Sequence, residues 1–228
     1  GAYDKPGERV EAATPGALPA LATDQPRNRL GLARWLVNPA NPLTARVTVN
    51  RYWQSVFGTG LVRTSEDFGS QGELPSHPEL LDWLANEFVR LGWSRKALIR
   101  LIVSSETYRQ SSRGRPELGD RDPLNILLAR QSRHRLEAEI VRDRALAVAG
   151  RLNDTLFGPP VEVMEDFAGQ VHVKDDSPRR SVYIQVRRTK PVSLLAAFDA
   201  PVMTLNCDRR PSSTVAPQSL MLMNGDFF

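Results

Sequence analysis

The sequence predicts a mainly α-helical protein, an irregular multi-helix globular bundle with one small β-hairpin or short sheet near 161–187. Three observations support this prediction. Apolar residues recur at helical spacing in several segments before residue 150, and capping and stop residues bound these segments. β-Branched residues gather in the stretch 161–187 instead. The 228 residues are 41% hydrophobic and 25% charged, which is typical of a globular domain.

Residues 1–27 are rich in Pro, Gly and Ala and show neither a helical nor a strand period. We therefore predict an extended lead-in or linker there, followed by a single mostly helical domain over 28–228. The first helix of this domain is predicted after the capping residue Asn28. The second follows Asn41 and ends at Gly58, because glycine readily adopts the left-handed conformation that stops a helix.

A third helix is predicted after Ser76 and Glu79, whose S-x-x-E spacing is typical of a capping box. The preceding loop contains Asp67-Phe68-Gly69, the same three residues as a motif with which protein kinases bind magnesium. A kinase also needs a Gly-rich phosphate loop and a catalytic loop, and the sequence contains neither. We therefore interpret Asp67 as a turn residue.

Further helices are predicted after Ser94, from Asp122 through "LNILLAR", and in "LEAEIVRDRALAVAGRL". The predicted buried side of this last helix consists of Ala138, Val141, Ala145 and Val148.

Beyond residue 150 the helical period is lost. We predict one short strand, Val182–Val186, paired with the valine-rich stretch 161–173. Helices return in "KPVSLLAAFD" and near Pro217. The last helix is cut short soon after it begins, so the domain is expected to be truncated at its C-terminus.

The net charge of +4 comes from arginine more than lysine, and the single cysteine, Cys207, cannot form an internal disulfide. One cysteine also excludes a CxxC redox pair and a CxxCH haem attachment within this chain. No stretch is long and apolar enough to cross a membrane. A nucleic-acid surface would need a stronger basic bias with exposed aromatic residues. No cofactor or metal is predicted for this chain.

Arginine pairs in non-helical stretches are the most suggestive functional feature. In one interpretation, buried arginines tie the strand and loops to acidic residues. In the other, arginines form a pocket for an acidic or sulfated glycan, or contact the carboxylates of a partner. The candidate contact residues are Arg51, Arg179, Arg180, Arg187, Arg209 and Arg210. The candidate acidic partners are Asp67, Asp199 and Asp208.

Three weaker chemical possibilities remain open. His172 lies near Asp175 and Asp176, but H-x-x-D-D is not a recognised metal-ligand spacing. Cys207 has two arginine neighbours that would lower a thiol pKa, although a buried structural cysteine is the commoner case. The carboxylates that could serve glycoside hydrolysis, if two of them faced each other, are Glu162, Glu165 and Asp166.

Several stretches, in this order and spacing, resemble the PSD-type domain of unknown function (number fifteen fifty-three). They are "NRLGLARWLVNPANPLTARVTVNRYWQSVFGTGLVRTSEDFG", "HPELLDWLANEF", "LIRLIVSSETYRQSS", "RRSVYIQVRR" and "CDRRPSSTVAPQSLMLMN". The resemblance implies the C-terminal domain of a large planctomycete cytochrome-associated protein, which usually follows another domain. It also implies export to a periplasmic or extracytoplasmic location, with any haem in other domains. No catalytic residue is established for the family.

Two functions fit these observations. The first is a non-catalytic interaction or scaffold module that contacts neighbouring domains of the same polypeptide. The second is a polysaccharide-acting enzyme domain that uses acidic and arginine residues of the 160–188 region on an acidic or sulfated glycan. A deep pocket lined by close carboxylates and arginines would favour the enzyme, and a bare apolar or charged face would favour the module.

Overall fold

The computed structural model describes residues 4–116, 121–201, 210, 212–225 and 227. It is mainly helical with one small antiparallel sheet, which confirms the predicted fold class. The chain divides into two compact units, Gly1–Arg133 and His134–Phe228. The prediction of a single domain over 28–228 stays a prediction, and the two units are described in turn.

The first unit is helical. Its helices are α1 (Arg29–Leu36), α2 (Thr44–Phe57), α3 (Pro78–Arg90), α4 (Arg95–Val103) and α5 (Glu106–Arg109). The described part of the lead-in, residues 4–27, contains no helix or strand. Its Pro19 carbonyl accepts a hydrogen bond of 2.7 Å from the Trp35 indole on α1.

The predicted ends of the first two helices are confirmed. Asn28 Oδ1 accepts hydrogen bonds from the first backbone N–H groups of α1. Asn41 Oδ1 accepts from Leu43 N at 3.0 Å and from Thr44 N at 3.3 Å, so it caps α2 although the regular helix starts at Thr44. Gly58 ends α2 with φ +82°.

The predicted capping box before α3 is wrong. Helix α3 begins with Pro78 in its first turn, so His77 occupies the cap position and Ser76 lies one residue too early. The backbone N–H of Ser76 instead donates to the Leu61 carbonyl at 2.8 Å. Proline is well suited to the first helical turn because it lacks an N–H. Its position therefore fixes the helix start.

The predicted helix after Asp122 is also wrong, because residues 121–130 form turns. The Asp122 carboxylate accepts hydrogen bonds of 2.8 Å from the N–H groups of Ile126 and Leu127. Asn125 and Leu128 have φ +53° and +54°, values that a right-handed helix excludes. Hydrogen bonds to the Asp122 side chain take the place of helical backbone hydrogen bonds here.

The core of the first unit lies between α2, α3 and α4. The Trp53 and Phe57 rings of α2 stack with centroids 4.2 Å apart, and Leu84 and Phe88 of α3 pack against the same cluster. Leu98 of α4 is completely buried in it. Apolar residues at helical spacing on α2 and α3 thus supply much of this core.

Asn50 is the polar exception in this core. Its side chain is buried and pairs with both backbone groups of Val62, accepting from the N–H and donating to the carbonyl at 2.9 Å each. A Cβ added to Gly60 would lie only 2.5 Å from the Val62 carbonyl oxygen. The close approach of the 58–62 turn to Asn50 thus explains the glycine there.

The second unit combines short helices with a hairpin. It contains α6 (Ala138–Val148), β1 (Val163–Glu165), β2 (Val171–Val173), α7 (Ser193–Ala197) and α8 (Ala216–Asn224), with 3-10 turns at Lys174–Asp176 and Ser181–Tyr183. The two strands are antiparallel, and Met164 lies opposite His172. The core consists of Ala138, Val163, Val171, Val173, Ile184, Val192, Leu194 and Phe198.

Two predictions for this unit are wrong. Val182–Val186 is not a strand, because a 3-10 turn occupies Ser181–Tyr183 and only an isolated bridge joins Ile184 to Val161. On α6 the buried residues are Ala138, Arg142 and Leu146, while Val148 is 85% exposed. Val141 is partly buried against the core, and the fully buried side of α6 includes an arginine.

Replacing Asn50 with Ala is expected to lower the free energy of unfolding by about 2–4 kcal/mol, since it leaves the Val62 N–H and carbonyl buried without a partner. Urea unfolding followed by tryptophan fluorescence measures the effect. Ser55→Ala, at an exposed position on the same helix, should stay within about 0.5 kcal/mol of wild type. Equal stabilities of the two variants would contradict the role of Asn50.

Candidate interaction site

Arg179 holds a loop rather than an acidic residue. Its guanidinium donates to the carbonyls of Pro159 at 2.9 Å and Phe157 at 2.5 Å. The same group lies over the Tyr183 ring, 4.0 Å from the centroid, and Tyr183 Oη accepts from the Phe157 N–H at 2.8 Å. Arg179 and Tyr183 together fix the segment 155–159, which we call the 155–159 loop.

The other candidate arginines are spread over the surface. Arg180 is exposed, with Nε 4.0 Å from the Asp143 carboxylate, and exposed Arg187 donates to Gln185 Oε1 at 2.9 Å. Arg210 lies 2.6 Å from Glu139 in the first turn of α6. Arg51 is exposed on α2, in the first unit.

Arg209, Asp208 and Cys207 lie outside the described residues. A role for the candidate arginines in binding an anion or a partner stays a prediction.

The two candidate acids that the structure describes, Asp67 and Asp199, accept hydrogen bonds from backbone and hydroxyl groups. Asp67 Oδ1 accepts from Gly69 N at 2.7 Å, which confirms its interpretation as a turn residue. Asp199, at φ +65°, accepts from the N–H and hydroxyl of Ser213 at 2.7 and 2.8 Å. The Ser213 backbone hydrogen bond and the Ser213 hydroxyl hold the pKa of Asp199 below its ordinary value.

The sequence reasoning missed Arg142, the most buried charged group described. Its side chain is 1% exposed and donates to the carbonyls of Ser177 at 2.7 Å and Arg179 at 2.9 Å. Burial lowers the pKa of the guanidinium, and the nearby carboxylates of Asp143 and Asp176 oppose this shift. Arg142 therefore fastens the irregular segment 177–181 to helix α6.

A helical signal for Arg142 was present in the sequence. Ala138, Arg142 and Leu146 follow each other at intervals of four, which places them on one helical face. The predicted side, based on the spacing of alanine and valine residues, omits both Arg142 and Leu146. The neighbouring Asp143 completes the attachment, because its carboxylate accepts from both the N–H and the hydroxyl of Ser181.

The carboxylates proposed for glycoside hydrolysis are all paired with bases. Glu162 lies 2.8 Å from the ammonium group of Lys174, and Glu165 lies 2.8 Å from that of Lys190. Asp166 lies 3.0 Å from His172 Nε2, at the turn of the hairpin. Each of the three carboxylates thus contacts a different basic residue.

The pKa shifts of these carboxylates run against acid catalysis. The hydrogen bond from Lys174 lowers the pKa of Glu162, and the contact with His172 lowers the pKa of Asp166. A general acid in a glycosidase needs a raised pKa, so that it still carries a proton near neutral pH. Glu162 and Asp166 are instead held in their charged form.

The cavities around the hairpin are also unsuited to a sugar chain. A pocket lined by Arg142, His172 and Asp176 among others has a volume of about 60 Å³, which holds about two water molecules. A larger, open depression of about 450 Å³ lies beside Glu162 and Lys174, which pair with each other. Neither of these two cavities is the deep pocket with close carboxylates and arginines that would favour the enzyme.

The 155–159 loop presents apolar side chains to solvent. Phe157 is 81% exposed, and its neighbour Leu156 is also exposed. Phe157 and Gly158 adopt φ +66° and +96° in succession. A bulky side chain in the left-handed region costs about 1–2 kcal/mol, which the hydrogen bonds from Arg179 and Tyr183 offset. The loop is thus an apolar projection with a fixed backbone.

No described helix combines the length and apolar character that a bilayer crossing needs. Nor do three or more His, Cys, Asp or Glu side chains of the described residues cluster in a way that could hold a metal ion.

Arg142→Met is expected to destabilise the second unit by about 3–5 kcal/mol, because it leaves the Ser177 and Arg179 carbonyls and the Asp143 carboxylate without their buried partner. Arg144→Met on the exposed side of the same helix is the matched control and should change stability little. Chemical unfolding of both variants measures the difference. A stable Arg142→Met protein would show that these contacts are dispensable.

Asp199→Asn is expected to make the free energy of unfolding depend less on pH in the acid range. Because the folded-state pKa of Asp199 is lowered, its contribution is fully present above the ordinary aspartate pKa and is lost as pH falls through the folded-state value. Urea midpoints measured from neutral pH into the acid range should fall less steeply for the variant than for wild type. Asp154→Asn, at an exposed position in the same unit, serves as control. Parallel profiles for all three proteins would count against the assignment.

Comparison with known proteins identifies the family. No curated protein and no solved structure matches the chain. The sequence profile of PSD1, described as "Protein of unknown function (DUF1553)", matches residues 28–228. The chain therefore belongs to the PSD1 (DUF1553) family of proteins of unknown function.

Proposed function

We propose that the chain is a non-catalytic interaction module of a larger, exported, planctomycete-type cytochrome-associated protein. Its 155–159 loop inserts into an apolar pocket on a neighbouring domain of the same polypeptide. The observation that carries this proposal is Phe157, an exposed aromatic side chain on a backbone that Arg179 and Tyr183 hold in the left-handed region.

The chemistry of the hairpin supports a binding role over a catalytic one. Its two glutamates pair with the ammonium groups of Lys174 and Lys190, and Asp166 is hydrogen-bonded to the His172 ring. Arg179 donates to backbone carbonyls. The alternative, a polysaccharide-acting enzyme domain, would need a protonated carboxyl group beside a second carboxylate. The lowered pKa values of Glu162 and Asp166 argue against it.

The geometry of the loop supports a specific contact. Aromatic residues dominate the energy of protein interfaces, especially where they enter a well-fitted pocket. A binding loop that is already held in one conformation loses less entropy on association than a mobile one. The Phe157 backbone is bonded at both its N–H and its carbonyl, so the ring projects from a fixed point.

The test is binding of this chain to the remainder of the full-length polypeptide, expressed separately and titrated by calorimetry. Phe157→Asn removes the ring but keeps a residue that tolerates the left-handed backbone. It should weaken binding by about 10- to 100-fold, the cost of losing one buried aromatic side chain. Phe167→Asn is the matched control, since Phe167 is also fully exposed but lies at the hairpin turn.

A second variant, Arg179→Gln, keeps the Phe157 ring but removes the guanidinium that holds the Phe157 backbone. It should weaken binding although the Phe157 ring is still present. Because Arg179 also lies over the ring of Tyr183, whose Oη accepts from the Phe157 N–H, the variant should speed hydrogen exchange at that N–H. Equal losses for Phe157→Asn and Phe167→Asn, or no loss for either, would overturn the proposal.

A further inference from the structure

The turns over residues 121–130 present three large apolar side chains to solvent. Leu124 is 66% exposed, Ile126 is 42% exposed and Leu127 is 69% exposed. The next residue, Leu128, instead packs against the core of the first unit. Single exposed apolar residues are ordinary, but a group of them marks a surface that contacts something other than water. We call residues 121–130 the apolar loop.

Hydrogen bonds within the apolar loop fix its backbone. The N–H groups of Ile126 and Leu127 donate to the buried carboxylate of Asp122 at 2.8 Å each. The Asn125 N–H donates to the Asp122 carbonyl at 3.1 Å, and the Leu128 N–H donates to the Asn125 carbonyl at 3.2 Å. Four consecutive N–H groups, those of residues 125–128, are therefore bonded inside the loop.

A backbone bonded in this way can leave water at low cost. Backbone N–H and C=O groups that lack a partner are strongly disfavoured in the apolar part of a bilayer. In the apolar loop the carbonyls of Asp122 and Pro123 also have a donor, because Arg130 lies 3.4 and 2.9 Å from them. The loop can therefore bury its three apolar side chains without leaving these backbone groups unpaired.

Arginines lie at the base of the apolar loop. Arg130 donates to the Pro123 carbonyl, Arg115 donates to the Ala129 carbonyl at 2.8 Å, and Arg121 is exposed. None of these three guanidinium groups forms an ion pair with a carboxylate of the described residues. The three arginines therefore suit an anionic surface.

The composition of the apolar loop favours a lipid membrane over a protein pocket. The residues that dominate protein interfaces are enriched in Trp, Tyr and Arg, and leucine is under-represented among them. The loop contains no aromatic residue. Leucine and isoleucine are among the residues that enter a bilayer most favourably, and anionic headgroups attract nearby arginines. An apolar tip with basic residues at its base matches phosphate groups that lie above acyl chains.

We propose that the apolar loop attaches the chain to the surface of an anionic membrane. Leu124, Ile126 and Leu127 enter the boundary between headgroups and acyl chains, and the three arginines at the base contact lipid phosphate groups. The contact is peripheral, because only turn residues enter the lipid. The proposal does not depend on the 155–159 loop of the second unit.

The experiment is sedimentation of the whole chain with two kinds of vesicle. One contains phosphatidylglycerol and phosphatidylcholine in equal amounts, and the other contains phosphatidylcholine alone. The chain should bind the anionic vesicles about tenfold more tightly than the neutral ones, or better. Raising the salt concentration should weaken this binding, because salt screens the attraction between arginine and phosphate.

Variants test the two parts of the surface. The double variant Leu124→Ser/Leu127→Ser should weaken binding to the anionic vesicles about tenfold, because two apolar side chains no longer enter the lipid. Arg121→Gln should weaken it about fivefold at low salt and have little effect at high salt. Leu74→Ser and Arg95→Gln are the matched controls, since both residues are exposed elsewhere in the first unit. Circular dichroism checks that every variant is folded.

Three results would overturn the proposal: no binding to the anionic vesicles, equal binding to the neutral ones, or losses in the controls as large as those in the loop variants. A double variant that binds vesicles normally would overturn it too. If that variant instead loses affinity for the remainder of the full-length polypeptide, the apolar loop contacts a protein and the membrane assignment is wrong.

Discussion

The buried guanidinium of Arg142 is the interaction on which the second unit depends. Between residues 150 and 190 the chain has only two strands of three residues each, so most of its backbone groups lack a regular ladder. Arg142 satisfies two of the carbonyls in this segment, and Asp143 satisfies the N–H and hydroxyl of Ser181. One turn of α6 thereby attaches the irregular segment 177–181, which contains Arg179. The position of Arg179, and through it that of the 155–159 loop, follows from this attachment.

Prediction from the sequence succeeded where a helix is determined by its own residues. Asn28, Asn41 and Gly58 mark helix ends because their side chains or backbone act within a few residues of the chain. It failed where a side chain bonds locally in a way that competes with the helix. Aspartate is common at helix N-termini, but the two hydrogen bonds that the Asp122 carboxylate accepts close turns instead of starting a helix. Val182–Val186 has β-forming residues, but a strand needs a neighbour along its length, which the sequence does not reveal.

The candidate site was predicted in part. Arg179 was a candidate because it is one of a pair of arginines in a non-helical stretch. The sequence alone could not show that its guanidinium donates to the carbonyls of Pro159 and Phe157. Arg142 was overlooked because a charged residue in a helix is ordinarily assigned to the exposed side. Phe157 carried no periodic signal, since its conformation depends on Tyr183, 26 residues away.

The bonded backbone at Phe157 has a kinetic consequence. A loop that must first rearrange slows every productive encounter, whereas one already shaped can dock on first contact with the correct orientation. In the proposed contact with a neighbouring domain, association would then be governed by diffusion and orientation alone. The lifetime of the complex would depend instead on how well the receiving surface encloses a single ring. Such a contact can be strengthened or weakened during evolution by changes on the partner, without any alteration to the fold that supports the ring.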